Sequence, residues 1–327
     1  MCTAISIAAG DCYFGRNLDF EYDFGEAVTI TPRAYPFTFA NGERLNRHYA
    51  MIGMALPVDG YPLYFDATNE KGLSAAGLNF PQNAYYREPD GKKTGVASFE
   101  FVPWVLSRCS TVKEAKELLS SVQITNEVFS ETLKPTPLHW LIAKGGEAIV
   151  VEQTHEGFCV YDNPTGVLTN NPPFLAQMTR LADFMNLTPN EPENRFSDTL
   201  NLSPYSKGMG AMGLPGDLSS ASRFVKACFL TQNSRWGETE AEKVHAFFHI
   251  LYAVFQQEGC IKTADGLEKT QYSSCCNASR GIYYYTTYEN GCVNGVDMHR
   301  EDLNGASVIS YDLVRREPIH LQNKQGE

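Results

Sequence analysis

The chain has 327 residues and is acidic, with a formal net charge of -11 at pH 7. Hydrophobic residues make up 43% and charged residues 20%, so the chain can bury a sizeable core and lacks the low hydrophobicity of disordered proteins. The negative charge, without any run of Lys or Arg to offset it, argues against nucleic acid as a partner. The net negative charge does not exclude an anionic small molecule as a ligand. One or two Arg side chains in a pocket outweigh a diffuse negative surface at contact distance.

The chain shows no sign of secretion or of a membrane span. Asp11 and Arg16 interrupt the short apolar stretch at residues 4–9, unlike a signal peptide, and no stretch approaches the roughly 20 apolar residues that cross a bilayer. We therefore expect a cytoplasmic protein. Nine cysteines, an odd number without a CxxC pair, fit reduced thiols better than disulfides or a zinc site.

The first part of the chain predicts strands and then two helices. CTAISIAAG and CYFGRNLDFE read as two strands joined by a turn, followed by AVTITPRAYPF and by a strand around residues 51–56. Apolar residues recur with helical spacing over residues 98–108. A second helix follows Thr111, whose partner Glu114 completes a capping-box pattern. The N-terminus is thus expected to lie in a sheet, although most chain ends fray.

The second part returns to strands. Residues 138–153, LHWLIAKGGEAIVVEQ, are two apolar runs joined across Gly145 and Gly146, which indicates a hairpin. Further strands are predicted at 158–161 and 167–170, and the C-terminal segments TQYSSCC and RGIYYYTTYENGCVNGVDM are typical of a meander. Three helices are predicted between them, at 174–184, 221–230 and 240–255.

Hairpins and meanders, rather than regular alternation of strand and helix, argue for antiparallel sheets flanked by helices. The predicted fold is an α+β sandwich of four layers, in the order α-β-β-α. We expect a single domain over residues 1–327. The polar stretch at 188–210 is expected to project from it as a loop.

Cys2 is the first candidate for chemistry. It follows the initiator Met1, and a side chain this small in second position normally permits removal of Met1. The thiol has an unperturbed pKa of about 8.5 and an α-amino group one of about 7.7 to 8.0, so a terminal Cys2 would carry its own general base. Taken alone, Cys2 is more simply explained as a small apolar residue at a chain start.

The segment Gly15-Arg16-Asn17-Leu18-Asp19 strengthens the chemical interpretation. It is expected to form the neighbouring strand and its exit, close to Cys2. Arg16 would lower the pKa of the thiol, and Asp19 would hold the α-amino group.

Several separate blocks of sequence carry a resemblance to a known family. They are MCTAIS, FGRNLDFEYDFGE, NEKGLSAAGLNFP, LHWLIAKGGEAIVVEQT, GVLTNNPPF, GLPGDLSSASRF, QYSSCC and GIYYYTTYENG. In this order and spacing, the blocks resemble the choloylglycine hydrolase family, specifically its bile salt hydrolase branch, within the N-terminal-nucleophile (Ntn) hydrolase superfamily. The resemblance runs from residue 2 to beyond residue 310.

The resemblance implies hydrolysis of the amide bond in glycine- or taurine-conjugated bile salts through a thioester on a cysteine. It implies a homotetramer, in which the loop near 188–210 is a candidate contact, and neither a cofactor nor a metal. The loop that lines the steroid pocket would contain Leu18, Tyr22 and Phe24. The catalytic positions of the family fall on Cys2, Arg16, Asp19, Asn79, Asn170 and Arg223.

Physical chemistry suggests a role for each of these groups. A tetrahedral oxyanion needs fixed donors, each contributing about 3 to 4 kcal/mol, and the amides of Asn79 and Asn170 can supply them. Arg16 and Arg223 provide positive charge near the thiolate. Asp19 would orient the terminal amine, which also protonates the leaving nitrogen.

Each residue also has an ordinary structural alternative. Asn170 lies in an Asn-Asn-Pro sequence typical of turns, and an Arg such as Arg223 on an amphipathic helix commonly forms a surface ion pair. His139, beside Trp140 in a strand, resembles a catalytic base, but we interpret it as a hydrogen-bonded structural histidine.

Three other functions were compared with bile salt hydrolysis. Penicillin V acylases of the same family tend to carry Tyr where this chain has Asn79, which favours bile salts. A noncatalytic bile-salt carrier would lack a catalytic group or retain Met1. A structural or redox cysteine protein would need paired thiols, which the spacing does not offer. The preference between glycine and taurine stays open.

Overall fold

The computed structural model describes residues 1–89, 91–316, 319 and 321–323. The strands in this part of the chain are β1 (Cys2–Ala9), β2 (Asp11–Phe20), β3 (Ala27–Thr31), β4 (Phe37–Thr38), β5 (Arg44–Leu45), β6 (Met51–Val58), β7 (Tyr61–Asn69), β8 (Ser74–Asn79), β9 (Thr94–Ala97), β10 (Val122–Thr125), β11 (Leu138–Lys144), β12 (Glu147–Thr154), β13 (Gly157–Asp162), β14 (Val167–Leu168), β15 (Ile261–Lys262), β16 (Leu267–Asn277), β17 (Ile282–Thr287), β18 (Asn294–Asp297) and β19 (Ile309–Asp312). The α-helices are α1 (Phe101–Leu106), α2 (Val112–Leu119), α3 (Phe174–Leu181), α4 (Ser220–Asn233) and α5 (Glu240–Tyr252).

Hydrogen bonds join most of these strands into two large antiparallel sheets. The first sheet has the order β14-β1-β2-β16-β17-β18, with β15 paired to β16. The second has the order β13-β12-β11-β8-β7-β6-β3-β19. Two small pairs stand apart: β4 with β5, which is antiparallel, and β9 with β10, which is parallel. Strands from both ends of the sequence thus meet in each large sheet.

The two large sheets pack face to face. Leu18 and Tyr272 of the first sheet share one buried apolar cluster with Leu78 and Leu141 of the second. Helices α4 and α5 cover the outer face of the first sheet, and α1 and α2 cover the outer face of the second. The predicted four-layer α-β-β-α sandwich is confirmed.

Strand β11 shows how the sequence specifies this arrangement. Its alternate residues point to opposite faces, so Leu141 packs between the sheets while Trp140 and Ile142 pack towards the helices. The ring of Trp140 lies 4.3 Å from that of Phe101 on α1. Because both faces are buried, the strand reads as a continuous apolar run.

The predicted hairpin over 138–153 is confirmed as β11 and β12. Gly145 has φ 62° and Gly146 φ 87°, which suits the two-residue turn that matches the twist of the strands. The predicted helix at 98–108 begins as a 3₁₀ turn, and its α-helical part is only α1. The cap of α2 is also partial: Thr111 accepts from the N–H of Glu114, but the Glu114 carboxylate bonds to Ser110 instead.

Strands β7 and β8 were missed by the sequence analysis. The sequence of β8, SAAGLN, consists mainly of small residues with little strand preference. Its place is decided by packing instead, because a Cβ atom on Gly77 would come within 3.2 Å of Leu138 and of Trp140. Tertiary contact therefore overrides local propensity here.

The hairpin of β1 and β2 positions the N-terminal end. Gly10, with φ 80°, makes the turn, and the pairing then places Cys2 directly opposite Leu18. The Asn17 side chain donates to the carbonyl of Leu251 on α5 at 2.9 Å, which ties the hairpin to the helical layer. No helix in the described ranges is both long and apolar enough to cross a membrane.

Gly15 allows a close approach of β2 to β16, and its replacement should destabilise the fold. A Cβ atom at this position would lie 1.9 Å from the carbonyl oxygen of Ser274. We expect Gly15→Ala to lower the free energy of unfolding by about 1 to 3 kcal/mol, as overpacking does. Gly216→Ala is the control, since its Cβ would meet nothing within 4 Å. Equal urea midpoints for the two variants would contradict this prediction.

Candidate active site

Cys2 is the first residue of β1 and is almost completely buried, with 3% of its surface exposed. Its backbone N–H donates to Oδ1 of Asn170 at 2.7 Å. Its carbonyl oxygen accepts from Nη1 of Arg223 at 2.5 Å. Two of the predicted site residues therefore hold the main chain of a third.

Asn170 connects three parts of the fold. It lies two residues after β14, and its own N–H donates to the Ser220 hydroxyl at the start of α4, at 2.8 Å. Its Oδ1 accepts from Arg223 at 2.9 Å as well as from Cys2. Its Nδ2 donates to the carbonyl of Asn79 at the end of β8, at 2.7 Å. The side chain is thus fixed by partners from both large sheets and from α4.

Arg223, on α4, is a buried cation and not a surface ion pair. Its Nη1 also donates to the Thr3 hydroxyl at 2.5 Å, and its Nε donates to the carbonyl of Leu218 at 3.2 Å. Burial lowers the pKa of Arg223, and the negative groups at Asp19 and Cys2 oppose that effect. A guanidinium stays charged in proteins, so the site keeps a fixed positive charge.

Asp19 lies on β2, on the face towards α4. Its Oδ1 accepts from the Thr270 hydroxyl at 2.6 Å, and its Oδ2 lies 3.9 Å from Nη1 of Arg223. Burial raises the pKa of Asp19, although Arg223, the α-ammonium group of the chain and Thr270 all act to lower it. Oδ2 is buried and accepts no hydrogen bond from the described residues.

Arg16 reaches across the space between the sheets. Its Nη1 donates to the carbonyl of Phe65 on β7 at 3.0 Å and to that of Gly77 on β8 at 2.6 Å. Burial acts to lower its pKa, but Cys2 and Asp66 with its two tyrosine partners together raise it above the ordinary value. Cys2 thus contributes to the raised pKa of the Arg16 guanidinium, and the predicted effect of Arg16 on the thiol stays a prediction.

The acidic group beside Arg16 is a buried network. Asp66 on β7 accepts from the Tyr272 hydroxyl at 2.8 Å and from the Tyr283 hydroxyl at 2.7 Å. Burial raises the pKa of Asp66, and the charge of Arg16 opposes this. The network supplies a counter-charge that makes the burial of Arg16 tolerable.

Met1 precedes this site, and its α-ammonium group is held by two acceptors. It donates to the carbonyl of Asp19 at 2.6 Å and to Oε2 of Glu268 at 2.7 Å. Glu268 lies on β16, with 5% of its side chain exposed. Burial raises the pKa of this carboxyl, and the α-ammonium group opposes the rise.

His139 is a structural residue. Nδ1 lies 3.0 Å from Oε1 of Glu152 and Nε2 lies 2.8 Å from the carbonyl of Thr169, and the ring stacks on Phe80 at 4.2 Å. Both ring nitrogens are engaged, as predicted. The residue helps to fix the chain just before Asn170.

The three predicted pocket residues lie at the end of β2 and in the loop after it. Leu18 is buried opposite Cys2, and Phe24 is partly buried. Tyr22 is 54% exposed. The rings of Phe20 and Phe65 join those of Tyr22 and Phe24 in an aromatic cluster, with neighbouring centroids 4.7 to 5.3 Å apart. Leu18 thus lies opposite Cys2, and the aromatic cluster after it reaches solvent at Tyr22.

The sequence and the fold are both similar to those of known proteins. The profile of the linear amide C-N hydrolases, choloylglycine hydrolase family, matches residues 2–311. The chain belongs to this family. The bile salt hydrolase/transferase of Lactiplantibacillus plantarum is 49% identical over 314 residues, covering 96% of this chain and 97% of that protein. That of Clostridium perfringens is 39% identical over 330 residues, covering 99% and 100%.

The solved structures agree with this membership. A variant of the conjugated bile acid hydrolase from Clostridium perfringens superposes with a TM-score of 0.90 at 38% identity, covering 98% of this chain and 100% of that one. The penicillin V acylase of Agrobacterium tumefaciens gives a TM-score of 0.76 at 22% identity, covering 95% and 91%, and shows the shared fold alone.

In this choloylglycine hydrolase, four predicted residues meet directly: Cys2, Asp19, Asn170 and Arg223. Asn79 joins them through its carbonyl, and Arg16 joins through its electrostatic coupling to Cys2.

Three further residues of the site were not predicted from sequence. Glu268 contacts the N-terminus, Thr270 contacts Asp19, and Ser220 contacts Asn170. Ser220 lies within the GDLSSASRF block, and Thr270 immediately precedes QYSSCC. A position in or beside these blocks is the one sequence feature that could have suggested either residue as part of the site.

Replacement of Asn170 should destabilise the protein strongly. Asn170→Ala leaves the N–H of Cys2 and one N–H group of Arg223 buried without an acceptor, so we expect a loss of about 2 to 4 kcal/mol in the free energy of unfolding. The neighbouring Asn171→Ala removes a more exposed bond to the carbonyl of Pro81 and should cost less than about 1 kcal/mol. Urea denaturation measures both, and equal losses would contradict the role given to Asn170.

Proposed function

We propose that this choloylglycine hydrolase cleaves glycine- or taurine-conjugated bile salts through a thioester on Cys2. One observation carries the proposal. The nitrogen of Cys2 is held by Asn170 at 2.7 Å, beside the charges of Asp19 and Arg223, and removal of Met1 would turn this nitrogen into an α-amine next to the thiol. The curated relatives cited above are named for action on bile salts.

The nucleophile and its base would both belong to Cys2. An α-amine with a pKa of about 7.7 to 8.0 accepts the proton of a thiol with a pKa of about 8.5 at little cost. Asp19 has a buried oxygen, Oδ2, that accepts no hydrogen bond from the described residues, and we assign it to the resulting ammonium group. Arg16 and Arg223 would stabilise the thiolate.

The thiolate would attack the amide carbonyl, and a tetrahedral oxyanion would form. Asn79 and Asn170 are the proposed donors to this oxyanion. One N–H of the Asn170 amide already bonds to the carbonyl of Asn79, so its second N–H would serve. The ammonium group of Cys2 then protonates the leaving nitrogen, and water later releases the bile acid from the thioester.

The apolar part of the substrate needs an apolar wall. Leu18, Tyr22 and Phe24 supply one beside the thiol, and a steroid face suits such a surface. The exposed ring of Tyr22 would lose contact with water when the substrate binds.

Other functions receive less support. The similarity to penicillin V acylase is one of fold. The sequence resemblance also favours bile salts, because it implies Tyr in the acylases where this chain has Asn79. A noncatalytic carrier would lack one of the six proposed groups or retain Met1. All six groups are present, and the mass measurement below tests for Met1.

We also propose a cytoplasmic homotetramer built from a single domain. In support, residues 188–210 include Phe196 and Tyr205, each 81% exposed, which suits a contact between subunits. The nine cysteines, all within the described ranges, are free thiols, as in a reducing compartment.

Replacement of Cys2 tests the proposal. We expect wild-type protein to lack the mass of Met1 and to release glycine or taurine from conjugated bile salts, and Cys2→Ala to lose this turnover completely because no other thiol can form the thioester. Cys12→Ala, on the neighbouring strand, should keep it. Intact mass spectrometry and ninhydrin detection of the released amine provide the readout.

Turnover of penicillin V without turnover of bile salts would retain the role of Cys2 but reject the substrate. Retained Met1 with bound, uncleaved bile salt would favour the carrier.

Truncation of the aromatic cluster should weaken substrate binding. Phe24→Ala removes one apolar wall residue, so we expect KM for bile salts to rise about tenfold, equivalent to roughly 1.4 kcal/mol, with kcat changed little. The control is Tyr49→Ala, an aromatic residue that packs near Lys71 beyond the far end of β7. Steady-state kinetics separates KM from kcat, and an unchanged KM would remove Phe24 from the pocket.

A further inference from the structure

Glu268 is a buried acid that the proposed mechanism leaves without a role. Its Oε2 accepts from the α-ammonium group of Met1 at 2.7 Å, and the carbonyl of Asp19 accepts from the same group at 2.6 Å. The other carboxylate oxygen of Glu268, Oε1, is buried and accepts no hydrogen bond from the described residues. The side chain is 5% exposed, so bulk water does not solvate its charge fully.

These contacts form a binding site for an ammonium group. A primary ammonium carries three N–H donors, and the structure supplies two acceptors at hydrogen-bond distance together with one buried negative charge. In the structure, the α-ammonium group of Met1 occupies this site. Met1 is bonded directly to Cys2, so the site lies within one residue of the thiol. Removal of Met1 would free the place for an external amine.

We propose that Glu268 and the carbonyl of Asp19 form an amine subsite, which takes the amine that leaves the conjugate and can admit a primary ammonium compound to replace water at the thioester. The inference rests on the proposed function, because it requires an acyl group on Cys2. The relatives from Lactiplantibacillus plantarum and Clostridium perfringens are named hydrolase/transferase, and acyl transfer to an amine needs a place for that amine.

Acyl transfer to the bound amine conserves atoms and protons. The bound ammonium gives one proton to the Glu268 carboxylate, and the freed lone pair attacks the thioester carbonyl. The new C–N bond forms, the C–S bond breaks, and the second nitrogen proton passes to the α-amine of Cys2 as the thiolate leaves. Burial raises the pKa of the Glu268 carboxyl, which makes it a better proton acceptor than an exposed glutamate. In the forward reaction the same subsite receives the released amine.

Two acyl acceptors that differ in charge, alanine and hydroxylamine, test the subsite. Alanine is an ammonium compound at neutral pH, whereas hydroxylamine is uncharged and needs no counter-charge. Intact mass first establishes that each protein begins at Cys2. A conjugated bile salt then serves as the acyl donor. The ratio of acyl-transfer product to free bile acid is measured at increasing concentrations of the acyl acceptor. We expect Glu268→Gln to require about tenfold more alanine for the same ratio, equivalent to about 1.4 kcal/mol.

The ratio obtained with hydroxylamine should stay within about twofold of wild type in the same variant, because a neutral acceptor gains little from a carboxylate. A purely structural defect would change both ratios equally. The matched control is Glu258→Gln, an exposed glutamate paired with Lys269, which should change neither ratio. If Glu268→Gln does not fold, Glu268→Asp keeps the charge on a shorter side chain. This variant should need more alanine for the same ratio, and its ratio with hydroxylamine should not change.

The possible failures are distinguishable. Normal hydrolysis and hydroxylamine trapping, with no alanine product or with an unchanged alanine ratio in Glu268→Gln, would overturn the amine subsite and leave the hydrolase intact. Equal changes in both ratios would also overturn it. Absence of hydrolysis and of trapping by either acceptor would overturn the proposed function itself, and the subsite with it.

Discussion

The rest of the site depends on the burial of the Arg223 guanidinium against the first strand. A cation removed from water must find a partner for nearly every N–H, and here the partners are Cys2, Thr3, Asn170 and the carbonyl of Leu218. The hydrogen bonds of Arg223 therefore fix β1, the segment after β14 and helix α4 relative to one another. The N-terminal end, which in most chains frays, is here hydrogen-bonded at both Cys2 and Thr3.

The charges around this end form two groups on opposite faces of β2. Towards the helices, Arg223 lies near Asp19, and Glu268 binds the chain terminus. Between the sheets, Arg16 lies near Asp66, which two buried tyrosines hold in place. Strand alternation puts residues 16 and 19 on different faces of β2. One arginine therefore lies on each face, with Arg16 between the sheets and Arg223 towards the helices.

Much of this was predictable from sequence. The hairpin at 138–153 and the helices were predicted because each rests on a local pattern. The six candidate catalytic positions came from sequence blocks, and the structure brings four of them, Cys2, Asp19, Asn170 and Arg223, into direct contact. Glu268 and Thr270 were missed because they act from more than 240 residues away, through pairing of β16 with β2, where Thr270 lies opposite Asp19. Strand β8 was missed because its small residues carry no local signal and are selected by close packing against Trp140.

The sequence by itself determined the family, the alternation of apolar residues that builds four layers, and the thiol with its potential amine at Cys2. These follow from residue type and spacing, which local physics can interpret. Only the tertiary structure decided which groups surround that amine, that Arg223 is buried and not solvated, and that a glutamate on a distant strand binds an ammonium group beside the thiol. Such facts depend on strand register and on which polar groups lose water together, and neither is encoded within a single segment.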